Sequence, residues 1–156
     1  MPYVSRKSFD HITPYWIEAG RLYFVTICTS PRHANQLCRP MIAAKIFEAA
    51  RFYQTRTRWH VELLLLMPDH LHGLIGFPDT ESMPAVIRAW KHYLAASLDI
   101  VWQRDFFDHR IRDKRGHQEK AAYIIENPVR AGLVERREDW PYVWPRPGRS
   151  VPVPPA

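Results

Sequence analysis

The chain predicts an α+β fold of ferredoxin-like or RRM-like type, a central antiparallel sheet with helices packed mainly on one face. Three observations predict it. Apolar runs of strand length alternate with stretches of helical periodicity in the order β–α–β–β–α–β, and a further helix follows. The two middle runs are separated only by Pro68-Asp69, turn chemistry that makes them antiparallel neighbours. A length of 156 residues fits one domain that buries a core without disulfide or metal staples.

Residues 1–20 form an N-terminal arm carrying Arg6, Lys7, His11, Tyr15 and Trp16, broken by Pro14 and Gly20. Arg21 to Cys28 is dense in β-branched and aromatic residues and reads as the first strand. Ser30-Pro31 through Arg39-Pro40 is loop. Ile42, Ile46, Phe47, Ala50 and Tyr53 recur at helical spacing up to about Thr55. The run Val61 to Leu66 is the next strand, and the segment from His70 to Phe77 is its antiparallel neighbour. Ser82 can cap a helix with Pro84 in its first turn. Its packed stripe is Val86, Ile87, Trp90, Tyr93, Leu94, Ser97 and Leu98; Arg88, Lys91 and His92 lie off that stripe, as a solvated face or as phosphate contacts. Trp102 to Arg112 contains a further strand around Phe106–Ile111. Residues 115–126 form a helix packed through Ala121, Ala122, Ile124 and Ile125. Asn127-Pro128 ends it, since a residue before proline is pushed out of the helical region. Val129 to Val134 adds a short turn with Asn127 as its cap. From residue 145 to 156 proline is too dense for a core element, which predicts an extended or disordered tail after a domain spanning 1–144.

Lysine and arginine exceed aspartate and glutamate, for a formal net charge of +6. A basic surface on a small domain favours a polyanionic partner, nucleic acid more often than membrane. No run approaches a membrane span, and the N-terminus lacks the apolar stretch of a signal peptide. The two cysteines, Cys28 and Cys38, suggest no disulfide framework, so the expected compartment is the cytoplasm.

The stretch with chemical promise is Met67-Pro68-Asp69-His70-Leu71-His72. Alternate side chains of a strand share a face, so His70 and His72 point one way while Leu71, Ile75 and Phe77 point the other. Two imidazoles so placed can chelate one divalent metal, or be two solvent-facing histidines of a half-exposed sheet. Downstream, Tyr123 and Asn127 are one helical turn apart, beside Glu119 and Lys120. If that helix lies over the histidines, it presents a phenol and an amide oxygen to them. Mixed nitrogen and oxygen ligands without thiolate favour Mg²⁺ or Mn²⁺ over structural zinc. An ordinary helix tyrosine and an ordinary helix cap explain the same two residues.

These residues carry a resemblance. Met67-Pro68-Asp69-His70-Leu71-His72 resembles the His-hydrophobic-His motif of the HUH single-strand DNA transposases. Trp102-Gln103-Arg104 with Phe107-Asp108-His109-Arg110-Ile111-Arg112 is similar to the block before their catalytic helix. Tyr123 to Val134, with Asp139-Trp140-Pro141, resembles the signature of the REP-associated tyrosine transposase branch. The three blocks stand in family order and span roughly residues 15 to 144. The resemblance implies the fold read above, with the nucleophile on a C-terminal helix. His70 and His72 would be metal ligands and Tyr123 the nucleophile, and Asn127 falls where the wider family supplies a third ligand, often glutamine. The implied cofactor is Mg²⁺ or Mn²⁺, and the implied partner is single-stranded DNA with hairpin structure, bound by a monomer or homodimer. Candidate DNA contacts are Arg6, Lys7, Arg88, Lys91, Arg104, His109, Arg112, Lys120 and Arg130. The implied chemistry is attack by Tyr123 on phosphorus, which gives a 5′-phosphotyrosine and a free 3′-hydroxyl. No clear general base is visible; Lys120 and a metal-bound water are the candidates.

Other readings of the histidine pair fit less well. A zinc amidohydrolase barrel needs about 250 residues. Histidine-triad hydrolases need a third alternating histidine, where this chain has Leu74. A rolling-circle replication nickase shares the pair but not the Asn127-Pro128 block. A catalytically silent single-strand binder would keep the fold, yet would be expected to have lost one of His70, His72 and Tyr123.

Overall fold

The computed structural model describes Ile17 and residues 19–145. The N-terminal arm with Arg6 and Lys7, and the tail from residue 146 onward, lie outside the described residues. The elements follow in the order β1 (Leu22–Cys28), α1 (Pro40–Thr55), β2 (His60–Met67), β3 (His70–Gly76), α2 (Met83–Leu98), β4 (Phe107–Arg110), α3 (Lys114–Ile125), α4 (Asn127–Arg130) and β5 (Val143–Trp144). The five strands form one antiparallel sheet in the order β4-β1-β3-β2-β5. The predicted α+β architecture is the one observed.

Local chemistry explains where the helices begin. Ser82 Oγ accepts from the Ala85 amide at 3.2 Å and caps α2, as its sequence predicts. Asp113 Oδ1 does the same for α3, accepting from Gly116 N at 2.7 Å. α1 starts at Pro40, two residues before the apolar periodicity, because proline is pre-set for a first helical turn and has no amide to leave unpaired. α3 ends at Ile125, and Asn127 opens the separate one-turn α4 with Glu126 as its N-cap. Asn127 is therefore not the side-chain cap that the sequence suggested.

The sheet is covered on both sides, which is why β2 reads as a nearly unbroken apolar run rather than an alternation. One core layer joins Val25, Ile27, Val61, Leu64, Leu66, Leu71, Ile75 and Phe77 to the inner faces of α1 and α2. The other joins Leu22, Phe24, Leu63, Leu65, Met67 and Leu74 to Ala121 and Ile124 of α3 and to Trp140 and Val143. Two of the three long helices thus pack on one face, and α3 alone packs on the other. β2 feeds both layers by alternation, and a register shift between Val61 and Leu63 puts Glu62 and Leu63 both on the α3 side. On β3, Gly73 faces the α1–α2 side, where a Cβ would stand 3.0 Å from Ile75 Cδ1 and 3.3 Å from Val25 Cγ2. β5 pairs Val143 and Trp144 with Leu65 and Leu64. Two residues are too few for a period, so this strand leaves no sequence pattern.

Two expectations need correction. Lys91 is buried in the stripe of α2, not outside it, and Tyr93 is exposed in its stead. The Lys91 ammonium donates to the carbonyls of Gln103 and Arg104 at 2.9 and 3.2 Å. It anchors the following loop and is not placed to meet phosphate. The packed side of α3 is His117, Ala121 and Ile124, with Ala122 exposed. His117 Nε2 lies 2.6 Å from Glu62 Oε1, and both side chains are almost fully enclosed. This acid–imidazole contact ties α3 to the irregular part of β2.

Candidate active site on the front of the sheet

The hairpin β2–β3 delivers the two histidines. Met67 pairs with His70, so the connection is the two residues Pro68 and Asp69. Leu71 goes into the α1–α2 core while His72 emerges on the side covered by α3, as strand alternation predicts. The rings of His70 and His72 have centroids 4.8 Å apart. Each is held at Nδ1. His70 Nδ1 lies 2.8 Å from Asp69 Oδ1, and His72 Nδ1 lies 2.9 Å from Thr26 Oγ1 on β1. Burial first, then the neighbouring His70, Arg130 and Lys120, push the His72 pKa down to about 3. His72 is therefore neutral near pH 7, the state in which imidazole ligates metal.

Asp69 is a site residue that the sequence reading assigned only to the turn. Burial alone would raise its pKa, but the Arg32 guanidinium, His70 and the His33 amide together hold the carboxyl well below the usual carboxylate range. Arg32 Nε donates to Asp69 Oδ2 at 2.8 Å, as does His33 N. The loop between β1 and α1 is thus folded over the hairpin, with the amides of Gln36 and Leu37 both donating to Pro68 O. Asp69 stood in the quoted motif, next to His70, and adjacency was the signal available; Thr26 and Arg32 carried none.

Tyr123 comes from α3. Its ring packs edge-on against His72, 5.7 Å between centroids, and against Phe24 at 6.1 Å. Phe24 is in turn stacked on His72 at 5.3 Å with 22° between planes. Tyr123 as a residue is 46% exposed. Two cations attend this cluster. Arg130 Cζ lies 4.2 Å from the Tyr123 ring centroid, and the same guanidinium donates to Tyr123 O at 2.7 Å. Lys120 Nζ stands 4.7 Å from the Phe24 ring centroid and 5.8 Å from that of Tyr123.

Of the predicted residues, the structure brings together His70, His72, Tyr123, Lys120 and Arg130. His109 joins their face by register, opposite Phe24. Arg104 is exposed in the loop whose Gln103 amide donates to Cys28 O, at the end of the sheet where Cys28 pairs with His70. Arg88 is exposed on α2, across the sheet from the histidines, and Arg112 borders a cleft with Arg21 and Arg110 on the α2 side. Asn127 is half-buried and lies beyond the end of α3, as the first residue of α4. Arg130 is the residue of this segment whose contact with the Tyr123 ring is seen. Among the described residues, no group of three His, Cys, Asp or Glu side chains is gathered to hold a metal.

A sheet with a tyrosine-bearing helix laid over a histidine pair defines the class of fold and site that the three sequence blocks resemble. No family profile matches the chain. It is 30% identical over 142 residues to a Haemophilus influenzae protein named as a REP-associated tyrosine transposase, covering 79% of this chain and 78% of that one. It is 26% identical over 135 residues to the REP-associated tyrosine transposase of Escherichia coli, covering 82% and 78%. The fold matches the solved structure of a REP-associated tyrosine transposase bound to a REP hairpin. The TM-score is 0.70 at 23% identity, over 80% of this chain and 76% of that one. A Deinococcus radiodurans crystal structure described as a transposase aligns at TM-score 0.50 and 18% identity, over 68% and 88%. The chain belongs to the REP-associated tyrosine transposase family. No helix among the described residues is long and apolar enough to cross a membrane.

Proposed function

We propose that the protein is a metal-dependent tyrosine endonuclease and transposase that cleaves and rejoins single-stranded, hairpin-bearing DNA through a 5′-phosphotyrosine. The observation that carries this reading is the contact of Tyr123 with His72, beside His70 and beneath two cations. The printed description of a relative bound to a REP hairpin supports the choice of hairpin DNA.

The residues fit a divalent ion. His72 is neutral, and His70 has a carboxylate at Nδ1, which fixes the imidazole and leaves Nε2 as the ligating atom. A proton on His72 Nδ1, given to the Thr26 hydroxyl 2.9 Å away, would leave its Nε2 to ligate in the same way. Mg²⁺ or Mn²⁺ bound by His70 and His72, with Asn127 as a third candidate, would polarise the scissile phosphate. Tyr123 Oη gives up its proton and forms the new bond to phosphorus, the bond from phosphorus to O3′ breaks, and the leaving oxygen takes up a proton as the 3′-hydroxyl, so protons balance overall. Lys120 and Arg130, both beside the Tyr123 ring, would stabilise charge gathering on the phosphate oxygens. Rejoining reverses the exchange: a 3′-hydroxyl attacks the phosphotyrosine and releases the phenol. The ester energy is kept in the covalent link, so no nucleotide triphosphate is needed.

A denaturing gel of the protein with labelled hairpin-bearing single strands tests the proposal. An adduct that forms with Mg²⁺ or Mn²⁺ and disappears with chelator is the expected result. Protein that shifts these strands on a native gel but never forms an adduct would instead be a binding module.

Asp69→Asn should weaken Mn²⁺ binding about 10- to 100-fold by calorimetry, because the charged acceptor that fixes His70 is replaced by a neutral amide. The same carboxylate sets a pH dependence. Its pKa in the fold lies below the ordinary 3.8, so its contribution to stability is present above that value and disappears as pH falls further. Acid unfolding followed by circular dichroism should show the Asp69→Asn protein losing less stability than the parent across that acid range.

A further inference from the structure

We infer that Phe107 is a stacking platform for a base of the single strand close to the phosphate that Tyr123 attacks. The inference rests on the nuclease reading and adds a binding residue to it. β4 is an edge strand, and all four of its residues are exposed. Phe107 is 58% exposed and belongs to neither core layer, so its ring contributes little to folding.

Its position shows what could use the ring. Phe107 pairs with Thr26, whose hydroxyl meets His72, and two residues on His109 pairs with Phe24. Directly opposed side chains share a face, so Phe107 and His109 look out beside the histidines and not toward α1 and α2. The Phe107 ring touches Phe24 in a T-shaped contact with centroids 6.3 Å apart, and Tyr123 leans on the same Phe24 at 6.1 Å. Two exposed rings therefore share one support, with the ammonium of Lys120 over it. A flat apolar surface beside cations suits a nucleotide, base on the ring and phosphate toward the charges. A second copy of the chain suits it less, because Phe107 is followed by the exposed Asp108, His109 and Arg110, which disfavour edge-to-edge pairing.

Fluorescence of 2-aminopurine separates these cases, since the base is quenched when it stacks. The probe is a DNA hairpin with a thymidine extension in which one 2-aminopurine is moved position by position. It is bound by full-length Tyr123→Phe protein so that the strand stays intact. Quenching should peak at one or two adjacent positions. Adding Phe107→Ala should abolish that peak and weaken binding about tenfold, while Phe107→Tyr keeps both. A Phe107→Ala protein that quenches and binds like its parent would overturn the inference. So would a change from dimer to monomer in sedimentation with quenching unaltered, which would assign the ring to a second copy. The adduct assay is read separately: adducts with no Phe107-dependent quenching refute the platform alone, and Phe107-dependent quenching without adducts refutes the nuclease reading alone.

Discussion

Tyr123→Phe is expected to abolish covalent attachment to DNA, lowering the yield at least about a thousandfold, while the protein folds and binds hairpin strands as before. The asymmetry follows from what the residue touches. Its packing is through the ring, against His72, Phe24 and Arg130, and phenylalanine retains every one of those contacts. Only the hydroxyl is lost, and with it the atom that would join to phosphorus. Strand cleavage and attachment should therefore fall together on a denaturing gel, with the thermal midpoint within a degree or two of wild type. If Tyr123→Phe still forms an adduct, another side chain is the nucleophile and the site has been misassigned.

The second large effect is one of stability. His117→Ala removes the 2.6 Å partner of a carboxylate whose side chain is only 2% exposed. Breaking a buried acid–imidazole contact from one side leaves Glu62 with desolvation uncompensated by this bond, at a cost of about 3 kcal/mol. For a domain of this size that lowers the thermal midpoint by roughly 6–12 °C, measured by calorimetry or circular dichroism. Replacing both partners with apolar residues, Glu62→Met with His117→Leu, should recover most of the loss, because no acid is then left buried at this contact. A double variant as unstable as the single one would show that the loss does not come from the stranded Glu62 carboxylate.

Much of the fold was legible because its signals are local. The strand pair, the Ser82 cap and the strand alternation at His70 and His72 all follow from neighbours within a few residues. The histidine and tyrosine blocks could be placed on their elements for the same reason. The remainder depends on contacts far apart in the chain. Nothing near Thr26 foretells His72, nothing near Arg32 foretells Asp69, and Glu62 passes for a stray charge in an apolar run until His117 is packed on it. Lys91 misled because a lysine at a packed position is rare unless carbonyls receive it, and those carbonyls come from a loop without regular pattern. Asn127 misled as a cap because Pro128 reads as the first residue of the short helix, whereas α4 begins one residue earlier, with Glu126 at its N-cap.

The placement of α1 and α2 on one side and α3 on the other has a bearing on how such a protein can change over generations. The rear layer, built from these two helices, secures the sheet without touching the histidines, the tyrosine or the edge at Phe107. Substitutions behind the sheet will be judged by whether the chain still folds, and substitutions in front by which strand it accepts. On the function proposed above, a lineage could change its DNA target by altering exposed positions of α3, α4 and β4 while inheriting the same scaffold.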